Sequence, residues 1–374
     1  MFDNFKIGVD NGIIGTDYDS LHSYWPTSGI ANYILARAHI YPDKNFKDWE
    51  NEYCSAYGAA QEDIKNFYAY WRTIWDNRLM KDRAEIAKVG RYGNFRRGLM
   101  WCLSKYYNEK DFDVTDAILS SAMKKQLSPL EKERLKKVML ANEHARLMHK
   151  AILVNGRIGG AENPIDRIGA SRELLEFRKK NKDTLTFNWS LLFNLEKSFG
   201  DVTGVQFAQL FEKKIDPIKG LPIYWNFKID PKNIGVKEGW EKISWNEIKK
   251  GWEKIRTDRN WENQKKVDKK LEEQLRNYDG VGWYAVRFKV DPKLRGKKIY
   301  ALFGAVDESC WVYLNGKKAG EHLYKKPDDW KTPFSIDITK NIDWNKSTQQ
   351  LVVKVEDKAG MGGIWKLVWI AKEK

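Results

Sequence analysis

Cysteine is scarce in this sequence. The three present, Cys54, Cys102 and Cys310, are far apart and odd in number. That excludes a disulfide framework and, with no CxxC pair, a thiolate metal site; all three are expected to be small core residues. Long apolar runs are missing as well, and none approaches the ~18–20 residues that a bilayer-spanning helix needs. The opening "MFDNFKIGVDNG" lacks the basic start and apolar stretch of a signal peptide. The expectation is either a cytoplasmic protein or a chain without its natural beginning. Histidine is rare, and His144 and His149 lie five apart on an expected helix, where two ligands on one face want i, i+4; HExxH is absent. No GxSxG elbow occurs. "NGRIGGAENPIDRIG" (155–169) is neither GxGxxG nor a Lys-Ser/Thr phosphate loop and reads as a connection between helices.

Negative charge is outnumbered. Lys and Arg total 66 against 51 Asp and Glu, a formal net charge of +15. Such an excess raises the question of a polyanionic partner. The basic residues are nevertheless interleaved with acids, as in "EKERLKK" and "KKVDKKLEEQLR", the pattern of solvated helix faces. Nucleic acid is therefore disfavoured, and an acidic polysaccharide stays open. What the chain has in abundance is aromatic surface: 17 Trp, 17 Tyr and 16 Phe. Most of these rings are expected in cores. Any that reach the surface are flat apolar platforms of the kind on which sugar rings stack.

With 374 residues, 42% hydrophobic and 31% charged, the chain is globular and long enough for two domains of ~100–200 residues. The two halves carry different periodicities. Residues 28–215 read as helical: "GIANYILARAHIY" has apolar residues at i, i+4, i+8 and stops at Pro42. Further on, Ile64, Phe67, Tyr68, Trp71 and Trp75 form an apolar helical stripe, which is a core signature. Ser128, Pro129 and Glu131 make a capping-box start for another helix, and a helical pair over about 163–180 and 188–214 completes this half. From residue 221 the period becomes two. In "WYAVRFKV" Tyr284, Val286, Phe288 and Val290 face one way, and Trp283, Ala285, Arg287 and Lys289 the other. "KIYALF", "WVYLN", "FSIDI", "QLVVKV" and "IWKLVWI" follow between turn residues, and Asn315-Gly316 marks a type I′ hairpin. The predicted fold is thus an α-helical domain (28–215) followed by an antiparallel β-sandwich of jelly-roll type (221–374), with the boundary in 213–222.

The ordered series "NWENQ", "DGVGWYAVRFKV", "KKIYALFGAVDESCWVYLNGKKAGEH", "WKTPFSIDIT" and "DKAGMGGIWKLVWI" resembles the galactose-binding-like sugar-binding domain of the β-galactosidase and β-glucuronidase superfamily. More loosely, "GIANYILARAHIYPDKNFKDWENEYCSAYGAAQEDIKNFYAYW" resembles the helical region after the catalytic barrel of α-glucuronidase-like bacterial glycosidases. On that likeness residues 1–27 are the tail of an upstream barrel. The barrel itself needs roughly 200–250 residues, for which this chain has no room. No catalytic residue is assigned, and whether this chain alone is an enzyme stays open.

Six residues are candidate carbohydrate contacts. Asp307 and Glu308 precede the hairpin strand; Asp307 equally suits a loop carboxylate accepting backbone N–H groups. The resemblance gives Asp357 the position of an acid, six residues before the glycine of a Gly-Ile-aromatic strand, that reaches a neighbouring barrel and binds sugar hydroxyls. Trp311 on a strand and Trp330 in the polar loop "KKPDDWKTPF" are candidate sugar platforms, and Trp365 shares its strand with Lys366. Glycoside hydrolysis needs two carboxyls facing one site, and no spacing here establishes such a pair. A structural Ca²⁺ is common in sandwich sugar-binding modules, but no ligand set is readable, so no cofactor is assigned. The leading reading is a carbohydrate-binding accessory portion of a glycoside hydrolase, with an oligo- or polysaccharide as ligand and a catalytic barrel on an upstream segment or neighbouring chain. A free-standing glycan-binding module is the alternative, and a basic polyanion-binding protein the third. No membrane association is expected; an extracellular or periplasmic location would follow if the chain is part of a larger processed glycosidase.

Overall fold

The computed structural model describes residues 2–15, 25–89, 93, 95–155, 167–184, 186–198, 203–205, 214–264 and 267–374. Contacts divide the chain into two units, residues 1–160 with 172–203, and 204–374 with 161–171. The loop expected over 155–169 and the end of the helix expected over 188–214 fall largely outside the described residues.

Among the described residues, ten helices carry the first part of the chain: α1 (Phe2–Asp10), α2 (Trp25–Ile40), α3 (Phe46–Ser55), α4 (Gln61–Ile74), α5 (Arg83–Val89), α6 (Phe95–Tyr106), α7 (Glu109–Met123), α8 (Pro129–Asn155), α9 (Arg167–Lys180) and α10 (Trp189–Ser198). Helix α2 ends two residues before Pro42, as a residue without a backbone donor requires. Helix α8 starts with the anticipated reciprocal cap: Ser128 Oγ accepts from the Glu131 N–H, and the Glu131 carboxylate accepts from the Ser128 N–H. Ile64, Phe67 and Tyr68 on α4 are buried with Trp49, Tyr53 and Tyr57. Trp75 departs from its stripe and is 40% exposed. A π-helical turn, Trp75–Met80, follows α4; the extra residue in that turn rotates the face, and Ile74 and Leu79 are buried in place of Trp75.

Among the described residues, ten strands form the sandwich: β1 (Ile215–Gly220), β2 (Tyr224–Ile229), β3 (Glu253–Arg256), β4 (Gly280–Phe288), β5 (Ile299–Asp307), β6 (Ser309–Leu314), β7 (Lys317–His322), β8 (Phe334–Asp337), β9 (Gln349–Asp357) and β10 (Gly363–Glu373). A four-stranded sheet runs β1-β10-β5-β8, and a six-stranded sheet runs β3-β2-β4-β9-β6-β7. Every pairing is antiparallel. The expected boundary segment is therefore itself the edge strand β1, paired with β10; its Pro217 and Lys219 flank a register shift, a position where an edge strand tolerates proline. Between the sheets, Phe227, Tyr284, Val286, Val312 and Val353 pack with Phe303, Val306, Ile364 and Val368. Period-two alternation explains this face, but the opposite face of the six-stranded sheet is also covered. Trp283 and Ala285 are buried beneath Trp240, Ile248 and Trp252. The β6–β7 hairpin turns on Asn315 and Gly316 with φ of 53° and 79°, the positive pair that type I′ needs.

Candidate site at the sandwich rim

One end of the sandwich gathers the candidate acids. Asp307 is the last residue of β5 and stands opposite Gly363, the first of β10. Asp357 is the last residue of β9 and stands opposite Gly280, the first of β4. The loop from Lys358 to Gly362 carries the chain from the six-stranded sheet to the four-stranded one, so the two aspartates mark the same rim from opposite sheets. Glu308 accepts from the Lys358 N–H at 3.2 Å, which ties the two strand ends together. The segment 257–264 folds over this end. Trp261 donates its N–H to the Gly362 carbonyl at 2.9 Å, and Glu262 accepts from the Gly362 N–H at 3.2 Å. Gln264 holds the segment in shape through the Arg256 N–H and the carbonyls of Arg256, Arg259 and Asn260. A side chain at position 362 would not fit: its Cβ would lie 2.4 Å from the Trp261 ring and 2.6 Å from Asp357 Oδ2.

The electrostatics of this rim are unusual. Asp357 is 1% exposed, and neither carboxylate oxygen makes a hydrogen bond among the described residues; nearby N–H groups of Lys358 and Ala359 favour its charge without reaching bonding geometry. Burial, with Glu308 and Asp279 adding repulsion, pushes its pKa up to about 6. Asp307 is pushed up to about 8 by burial first and then by Asp357, Glu308 and Glu262. Burial also lifts Glu262 to about 7, against the opposing hydrogen bonds it accepts. Asp230, on the same domain and equally buried, is the control. It accepts from the Ile234 and Gly235 N–H groups and the Trp283 indole at 2.9, 2.9 and 3.0 Å. Buried polar groups are normally satisfied in this way. Asp357 is not.

Asp307 makes no hydrogen bond to loop backbone among the described residues, so it is not the loop-capping carboxylate that its sequence position suits equally well. Trp365, at the β-bulge between Ile364 and Lys366, is buried and donates its indole N–H to the Trp330 carbonyl at 2.8 Å. The two rings stack at 5.6 Å and 28°. Trp330 is thereby fixed with 37% of its surface exposed, and Trp365 serves as its base. The stack lies two residues along β10 from Gly363, at the end where Asp307 sits. Trp311 is placed differently. It lies on the outer face of the six-stranded sheet opposite Lys354, whose Nζ sits 4.7 Å over the ring, and the structure does not join it to the acids. Glu262 and Asp279 are the members that sequence reasoning did not single out; "NWENQ" carried Glu262 only as part of a resemblance. Among the described residues no group of three His, Cys, Asp or Glu is arranged to hold a metal ion, and no helix is long and apolar enough to cross a membrane.

Residues 218–366 match the family model described as "Glycosyl hydrolases family 2, sugar binding domain". The sandwich is a galactose-binding-like domain of that superfamily. A β-galactosidase of Thermoanaerobacter pseudethanolicus is 32% identical over 108 residues, 25% of this chain and 14% of the relative. One from Thermoanaerobacterium thermosulfurigenes is 30% identical over 148 residues, 38% of this chain and 17% of the relative. The chain thus spans about one sixth or less of the length of these relatives. Among solved structures, a β-glucuronidase of Ruminococcus gnavus in complex with D-glucuronic acid is similar at 19% identity and a TM-score of 0.35, over 43% of this chain and 30% of that one. The family match falls in the sandwich; the likeness of the helical region to a post-barrel segment rests on its motifs.

Proposed function

We propose that the chain is the carbohydrate-binding accessory part of a glycosidase, and that the rim of its sugar-binding domain holds a saccharide against a catalytic barrel supplied by an upstream segment or a neighbouring chain. The observation that carries this reading is Asp357: a buried carboxyl with no partner, at a rim, in a domain that satisfies Asp230 completely. An unsatisfied buried carboxyl costs stability, and a ligand that hydrogen-bonds it removes that cost. The chemistry suits a sugar. At pH 7 Asp307 retains its proton and Asp357 is mostly ionised, so the rim offers a donor beside an acceptor, and a hydroxyl does both. Trp330 adds an exposed, pre-fixed aromatic face. Asp307, Glu308 and Asp357 bind hydroxyls in this reading; they perform no acid–base step.

The test is retention of the purified chain on insoluble polysaccharides and on oligosaccharide arrays. Retention lost in Trp330→Ala and Asp357→Asn supports the rim as the binding surface. Retention indifferent to both overturns it, and release of nitrophenol from aryl glycosides by the chain alone overturns the accessory role. The Trp330–Trp365 stack lies wholly within this chain, which also suits a free-standing glycan-binding module. Tight binding by the isolated chain, unchanged when a barrel partner is added, favours that second reading.

A further inference from the structure

A recess lies in the helical unit, lined by none of the rim residues. Its volume is about 390 Å³, near the lower end of the range for small-molecule sites. Pro26, Tyr33, Tyr53, Tyr57 and Val138 line it, with Glu52, Arg134 and Lys137 as its charged groups. The lining is mainly apolar and aromatic with a few polar groups, the composition of a pocket that takes a small molecule with an apolar face.

The charges are not equivalent. Glu52 is neutralised: Arg37 pairs with it at 2.9 Å, and the Tyr33 hydroxyl donates to the same oxygen. Lys137 pairs with Glu133 at 2.9 Å on the surface. Arg134 is half-buried, gives one Nη1 hydrogen to the Ala56 carbonyl at 2.7 Å, and makes no ion pair among the described residues. Its guanidinium is therefore held in place by backbone while the rest of its donor fork stays uncommitted. A planar fork fixed in orientation matches a carboxylate bidentately. This contrasts with Arg78 and Arg146, also half-buried in the unit, which are both engaged with aspartates.

We propose that this recess binds a carboxylate carried on a six-membered ring, a uronic acid residue being its saccharide form, with Arg134 taking the carboxylate and the tyrosine walls taking the ring. Neither the sandwich rim nor the reading above is needed for this. The test is calorimetric titration of the full chain with D-glucuronate, cyclohexanecarboxylate and D-glucose. The expected result is binding of the two acids and at least tenfold weaker binding of glucose; whichever acid binds more tightly names the source of the ring. Arg134→Gln should weaken the acids at least tenfold while cooperative thermal unfolding persists. If that variant fails to fold, Arg134→Lys keeps the charge and loses the fork, and should weaken them by about tenfold. Cyclohexanecarboxylate carries no hydroxyl for the rim acids, so its binding reports the recess alone. No binding of either acid, equal binding of glucose, or indifference to the folded Arg134 variants would each overturn the proposal.

Discussion

The helical unit and the rim of the sandwich bury carboxyls to similar depth and treat them in opposite ways. Asp111, at the start of α7, is 1% exposed. Burial pushes its pKa up, but the Arg78 fork at 2.7 and 2.9 Å, the Asn108 N–H and the Tyr70 hydroxyl outweigh burial and hold it below the ordinary carboxylate value. Glu196, fully buried, is matched by the two-pronged grip of Arg178 at 2.7 and 2.8 Å. At the sandwich rim nothing opposes burial at Asp307, and the neighbours are more acids. The difference teaches how to separate scaffold from site in one chain. A buried charge with its counter-charge built in stabilises or specifies the fold; a buried charge without one is a cost that a ligand can remove.

Breaking the scaffold side of this contrast has the largest expected effect. Glu196→Gln leaves Arg178 buried without its anion and should cost about 3–5 kcal/mol in urea unfolding. On the rim side, Trp365→Ala removes the buried base of the stack and should cost about 3–5 kcal/mol, whereas Trp330→Ala, on the exposed face, should stay within about 1 kcal/mol and act on saccharide retention. Equal losses from the two tryptophans would show that both are packing residues. Asp357→Asn sharpens the comparison further: it removes a buried charge and orphans no counter-charge, so stability at pH 7 should rise, by about 1–3 kcal/mol.

The pH dependence comes next in size. A carboxyl whose pKa is raised by folding binds its proton more tightly in the folded state. Its contribution is complete below the ordinary value of 3.8 and is lost as pH rises through about 6 for Asp357 and about 8 for Asp307. The Tm of the sandwich transition should fall between pH 5 and 8, and fall less in Asp307→Asn; an identical slope in that variant would place the proton elsewhere. The smallest effect belongs to surface pairs. Lys137→Ala breaks an exposed i, i+4 contact with Glu133 and should change stability by no more than about 0.5 kcal/mol.

Much of the architecture was legible in the residues. Pro42, the Ser128–Glu131 cap and Asn315-Gly316 act through bonds that span at most four residues, and each did in the structure what its local chemistry required. Alternation in β4 identified Tyr284, Val286 and Phe288 as core, but the opposite face required knowledge of a distant segment: Trp240 and Trp252 cover Trp283, and nothing in "WYAVRF" announces a lid from forty residues upstream. Trp75 left its stripe because one π-helical turn changed the period, a deviation that a fixed 3.6-residue template does not register. The strand-end positions of Asp307, Glu308 and Asp357 were legible, and their environment was not. The three acids lie at one rim, Trp330 is fixed on Trp365, and Trp311 lies opposite Lys354.

The sequence by itself determined the two periodicities, the turns and caps between them, and the galactose-binding-like order of motifs, because each depends on neighbours along the chain. Only the tertiary structure decided that Asp230 is satisfied while Asp357 is not, that Glu262 arrives beside it, and that Arg134 stands at a tyrosine-lined recess with no ion pair among the described residues. Charge burial and hydrogen-bond satisfaction are set by atoms that come together across tens of residues, and no local pattern records which side chains will be left without a partner.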